Sequence, residues 1–174
     1  LLQKQGYVTG CVGKWHLGWG NKINPNWNAK LSPGPIETGF DYFFGVPYSH
    51  NSSPELQVFV EGDRIVGLNP GDSIQNKGVL ANVQRSLENT ATAISEKAVQ
   101  FIEANKDRPF FLYYPTTNVH LPHTPHKRFQ GKSNAGVYGD FVTEFDWAVG
   151  EILQTLDENG LTDNTLVIVT SDNG

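Results

Sequence analysis

The 174-residue sequence has no methionine and a single cysteine, Cys11. One thiol excludes an internal disulfide, and it leaves the compartment open because some secreted proteins have no disulfides. The lack of methionine, together with "LLQKQG" at 1–6 reading as the last turn of a helix closed by Gly6, leads us to expect an interior piece of a larger domain. Long hydrophobic runs are also missing, which excludes a membrane-spanning helix. So is any basic stripe: the net charge is −5, and a field of that sign repels phosphate backbones, so nucleic acid is excluded as a partner. What is present is an ordinary globular composition, 38% hydrophobic and 18% charged, in a chain of one-domain length.

Strand and helix patterns alternate along this chain. Val8 to Val12 reads as a strand broken at Gly13, and residues 90–105 put Ile94, Ala98, Phe101 and Ile102 on one helical face. The apolar run "PFFLYYP" after that helix reads as a buried strand. A second helix is predicted over 137–158, from apolar residues at three- and four-residue steps and a stop at Asn159-Gly160, and "TLVIVTS" then reads as another buried strand. Helices feeding such strands predict an α/β fold with a mostly parallel sheet flanked by helices, incomplete at both ends. Residues 58–67 alternate around Gly62-Asp63 as a hairpin, and 50–89 as a whole is expected to be an inserted hairpin and loop region.

In open α/β sheets ligands gather beyond the carboxyl ends of the strands. Those positions here hold Lys14 and His16, then His120, His123 and His126, then Asp172 and Asn173. Extended backbone would turn Lys14 and His16 toward one side. Cations, imidazoles and hard oxygens in one cleft suit an anionic substrate held beside a hard cation. Each element also has a plainer reading: Trp15 and Trp19 as core aromatics flanked by polar residues, "NVHLPHTPH" as a solvated proline-rich loop, and "SDNG" as a turn or helix cap. Pro122 and Pro125 forbid a helix there, so the histidine spacing does not build a zinc site.

"GYVTGCVGKWHLG" at 6–18, "FFGVPYSHN" at 43–51, "PFFLYYPTTNVHLPH" at 109–123 and "NTLVIVTSDNG" at 164–174 resemble successive blocks of the type I, formylglycine-dependent sulfatases, arylsulfatase-like members of the alkaline phosphatase superfamily. The resemblance implies that 1–174 is part of one sulfatase catalytic domain. It implies that Lys14 binds a sulfate oxygen, that His16 hydrogen-bonds the formylglycine hydrate, and that His120 contacts sulfate and the leaving oxygen. Ser49 matches a sulfate-contacting serine, and His123 a motif histidine of variable role. Asp172 and Asn173 match two ligands of a divalent cation, usually calcium. The implied substrate is a sulfated small molecule or sulfated glycan, the implied partner a formylglycine-generating enzyme, and the implied location periplasmic, secreted or lysosomal.

The C-x-P-S-R nucleophile motif of that family, its serine variant, its paired N-terminal aspartates and the lysine beyond S-D-N-G do not occur in these 174 residues. Cys11 lies in "TGCVGK" and does not match the motif. The full-length protein is therefore expected to be a sulfatase and this stretch alone to be inactive. Two other classes stand beside that reading: a phosphoesterase or phosphonate hydrolase of the same superfamily, and a domain that binds sulfated glycans without cleaving them.

Overall fold

The computed structural model of the chain describes residues 1–20, 25–52, 56–69, 72 and 83–171. Strand β1 (Val8–Lys14) lies at the centre of the sheet, parallel to β2 (Tyr42–Val46) on one side and to β5 (Phe110–Tyr113) on the other. Two short antiparallel strands, β3 (Val60–Glu61) and β4 (Arg64–Ile65), continue the sheet beyond β2, giving the order β4-β3-β2-β1-β5. The hairpin predicted around Gly62-Asp63 forms, with Gly62 at φ 62°. The sheet is thus mixed: its functional half is parallel, and the hairpin extends it antiparallel.

Alternation along the strands sorts the core into two faces. Val12, Phe44 and Val46 meet Ile94 and Ala98 of helix α2 (Leu87–Asn105), which follows the single-turn helix α1 (Pro35–Thr38) along the chain. Ser86 caps that helix by accepting from the Asn89 amide, so it starts three residues earlier than the apolar periodicity predicts. Helix α3 (Gly136–Glu158) packs on α2 rather than on the sheet, which leaves Tyr138, Val142 and Leu153 of its apolar stripe exposed. On the opposite face Cys11 and Phe43 are covered by Trp15, Trp19, Leu31 and Val83 together with hairpin residues, so among the described residues loops cover that side.

Three expectations are corrected. Gly13 does not break β1; the strand runs through it to Lys14, because the Pro115 carbonyl approaches so closely that a Cβ at Gly13 would overlap it. Phe111 and Tyr113 are half exposed, because β5 is the last strand on its side among the described residues. Residues 165–171 form no strand; Leu166 is 85% exposed and Ile168 76%. Apolar, β-branched composition favours a strand only where a neighbouring edge and a covering face exist, and among the described residues this segment has neither.

Candidate active site

Strands β1 and β2 end together at Lys14 and Val46, β5 ends at Tyr113 opposite Cys11, and the segments leaving the three strands stay hydrogen-bonded to one another. The Lys14 amide donates to the Pro115 carbonyl at 2.7 Å, the Trp15 amide to Val46 at 3.1 Å and the His16 amide to Pro47 at 3.2 Å. The two tryptophans of "GKWHLGW" are core residues, as the plainer reading had it, and they also anchor the loop. Trp15 Nε1 donates to the Gly18 carbonyl at 2.8 Å, Trp19 Nε1 to the Pro47 carbonyl at 3.2 Å, and the Trp19 ring stacks edge-on to Phe43 at 5.4 Å. Lys14 and His16 are left at the rim, half-buried and exposed respectively.

His16 sits at φ 55°, a left-handed backbone that a histidine adopts only under constraint. The same-side placement expected from an extended chain therefore does not apply to it. Its ring instead packs edge-on to Tyr48, 5.8 Å between centroids, beside Ser49.

Ser49 and His120, 71 positions apart in sequence, meet at 3.4 Å between Oγ and Nε2. That is long for a hydrogen bond, as catalytic contacts often are without substrate. The Leu121 carbonyl lies 2.6 Å from His120 Nδ1 and can only accept, so Nδ1 carries the hydrogen and Nε2 faces Ser49 as the free lone pair. His123 turns away from this pair and packs against Tyr138 and Phe141 of α3 at 5.1 and 6.4 Å. Asp172 and Asn173 lie outside the described residues. Among the described residues no group of three or more His, Cys, Asp or Glu is arranged to hold a metal.

The structure also identifies residues that the sequence did not single out. His50, 1% exposed, hydrogen-bonds Thr124 between Nε2 and Oγ1 at 2.7 Å, and its Nδ1 has no partner. Glu144, fully buried on α3, accepts from the His126 amide at 3.1 Å and from Thr92 Oγ1 at 3.1 Å, tying the histidine loop to both helices. Burial raises its carboxyl above the ordinary value. No periodic signal marks these residues; only the adjacency of His50 to Ser49 and of Thr124 to the histidine cluster hinted at them. The larger surface cleft, about 750 Å³, is lined by Gln3, Asp41, Lys97 and Arg108 and involves none of the site residues. A smaller one, about 570 Å³, borders the cluster through Arg85 and Thr124.

Burial, then the nearby charges of Arg85 and His120, lower the His50 pKa from 6.5 to about 4. Folding therefore favours neutral His50, and the stability this confers is complete above pH 6.5 and is lost as the pH falls from there toward 4. We expect acid urea titrations to show a loss of about 3 kcal/mol across that window. His50→Gln should flatten that part of the curve, and an unchanged pH profile in this variant would refute the assignment.

The comparisons with known proteins agree along the whole chain. The sulfatase family model matches residues 1–174. The chain belongs to the sulfatase family. An N-acetylgalactosamine-6-O-sulfatase of Bacteroides thetaiotaomicron is 38% identical over 214 residues, covering all of this chain and 42% of the relative. Human arylsulfatase A is 36% identical over 183 residues, covering all of this chain and 34% of the relative. A solved Bacteroides thetaiotaomicron structure, described under the metabolism of multiple glycosaminoglycans, superposes at a TM-score of 0.85 with 36% identity, covering 94% of this chain and 42% of that one. A Pseudoalteromonas sulfatase superposes at 0.68 with 25% identity, over 95% of this chain and 35% of that one. This sulfatase chain thus spans less than half the length of the curated relatives it matches.

Proposed function

We propose that the full-length protein hydrolyses sulfate monoesters, and that residues 1–174 supply the groups that hold the sulfuryl oxygens and carry the leaving-group proton. The Ser49–His120 contact carries this reading: it forms beyond the same strand ends that bear Lys14 and His16, in a chain that the sulfatase family matches from end to end. A sulfate monoester is an anion that repels nucleophiles, and charge shifts toward the leaving oxygen as the S–O bond breaks. The Lys14 ammonium offers positive charge to the sulfuryl oxygens. His120 has its Nδ1 hydrogen committed to Leu121, so Nε2 is the ring atom that takes up a proton, and in the imidazolium form it can give that proton to the leaving oxygen. The Ser49 hydroxyl can turn from Nε2 to a sulfuryl oxygen when substrate arrives, and His16 at the rim serves the attacking side.

Asp172 and Asn173 offer the hard oxygen donors that a divalent cation such as calcium prefers, and a bound cation would add positive charge at the sulfuryl oxygens. For the attacking group this chain has no fitting residue. Cys11 is buried within β1, outside any C-x-P-S-R sequence, and burial raises its thiol to about 12. In this reading a formylglycine belongs to sequence outside residues 1–174, a separate formylglycine-generating enzyme is the partner that would produce it, and the protein would act in a periplasmic, secreted or lysosomal setting.

Relatives named as N-acetylgalactosamine-6-sulfatases in a bacterium and in mammals make a 6-sulfated amino sugar the first ester to assay. The test presents the full-length protein with N-acetylgalactosamine 6-sulfate, nitrophenyl sulfate and the matching phosphate esters. Turnover of the sulfates with phosphates at background is expected. Preference for the phosphates would support the phosphoesterase reading, and binding of sulfated glycan without turnover would leave a non-catalytic domain.

A further inference from the structure

Arg85, Thr90, His50 and Thr124, brought together from three segments, form one hydrogen-bonded path beside the Ser49–His120 pair. Arg85, 5% exposed and just ahead of α2, donates from Nη1 to Thr90 Oγ1 at 2.7 Å and from Nη2 to the His50 carbonyl at 3.0 Å. Its own amide donates to the Gln57 carbonyl at 2.8 Å, which fixes the residue to the chain beyond the Ser49–Ser52 turn. His50 reaches Thr124 at 2.7 Å, and its ring rests on Phe141 at 5.8 Å. Ser49 precedes His50, and His120 lies four residues before Thr124.

We propose that Arg85, His50 and Thr124 form a buried tie that clamps the 47–52 loop to the 116–126 loop and thereby holds Ser49 opposite Nε2 of His120. The inference rests on the sulfatase reading and deepens it, naming His50 and Thr124 as positioning residues for the proton-carrying imidazole. A direct bond of 3.4 Å does not set such a geometry by itself. The 2.7 Å bond one residue away, made by the buried His50 ring, does. Both groups that Arg85 binds are neutral oxygens, so its buried guanidinium orients the His50 backbone without drawing a carboxylate into the site. The His50 ring is held neutral by burial first and then by the charges of Arg85 and His120, so it meets Thr124 as an uncharged partner.

The test uses Thr124→Val, which keeps the shape and removes the hydroxyl, and Thr124→Ser, which restores it, both in the full-length protein. The first readout is the ¹⁵N shift of His120 Nε2, with Ser49→Ala marking the value without the serine contact. Thr124→Val should move the shift in the same direction as Ser49→Ala, Thr124→Ser should return it to wild type, and Thr124→Val added to Ser49→Ala should move it no further. The second readout is turnover: Thr124→Val should lower kcat on an alkyl sulfate about tenfold to a hundredfold and on a nitrophenyl sulfate much less. A Thr124→Val protein whose Nε2 shift stays at the wild-type value, or whose losses on the two esters are equal, overturns the proposal. The spectroscopic readout needs no turnover, so it tests the tie independently of whether the protein proves to be a sulfatase.

Discussion

Lys14→Ala in the full-length protein should reduce turnover of every sulfate ester by about 10²–10³-fold, the loss that follows removal of one donor from a developing anion. The ammonium acts on the sulfuryl oxygens, which all substrates share, so the loss should not depend on the leaving group. His120→Ala should behave differently. Proton donation to the leaving oxygen is worth about 10²–10⁴-fold where that oxygen is a poor leaving group, and little where it is a good one. An alkyl sulfate should therefore lose far more than a nitrophenyl sulfate. A matched pair of esters assayed against both variants separates the roles. Equal losses for His120→Ala would remove its acid role, and an ester-dependent loss for Lys14→Ala would place that side chain at the leaving group instead.

Gly45→Ala should be among the most destabilising small substitutions in the chain, at about 3 kcal/mol. Gly45 lies opposite Gly13 in the β1–β2 ladder, and a Cβ there would overlap the Gly13 carbonyl. That carbonyl is backbone and cannot rotate away as a flexible side chain would, so the two strands that carry Lys14 and Ser49 would have to part. Gly62→Asn is the control. Gly62 also has positive φ, but open space surrounds it, and asparagine tolerates the left-handed region. Urea melts should show the first variant strongly shifted and the second close to wild type; a Gly45→Ala protein as stable as wild type would mean the strands are not packed this closely.

Local signals in the sequence carried the helices and the hairpin well. Ile94, Ala98, Phe101 and Ile102 recur on one face and are all buried, and Gly62-Asp63 turns where a glycine with positive φ is required. The segment 165–171 was misread because apolarity specifies burial without saying against what. The site divides in the same way. Lys14, His16, Ser49 and His120 were legible through their motifs and their places at strand ends. His50, Arg85, Thr124 and Glu144 were not, because a polar residue is recognisable as buried and partnered only once the segments holding its partners have come together. His123 shows the converse: its place in the motif did not reveal that its ring packs against Tyr138 and Phe141.

Among the described residues β5 ends the sheet, and that position bears on how these 174 residues behave when handled by themselves. A strand at the end of the sheet order, bearing the half-exposed Phe111, is a template on which another chain can form hydrogen bonds. The uncharged, exposed run Leu166–Thr170 has the composition that stacks into cross-β arrays. Molecules of the isolated stretch therefore carry both a template and a strand able to add to it, so their solubility falls with concentration, and association between copies competes with every measurement made on the 174 residues alone.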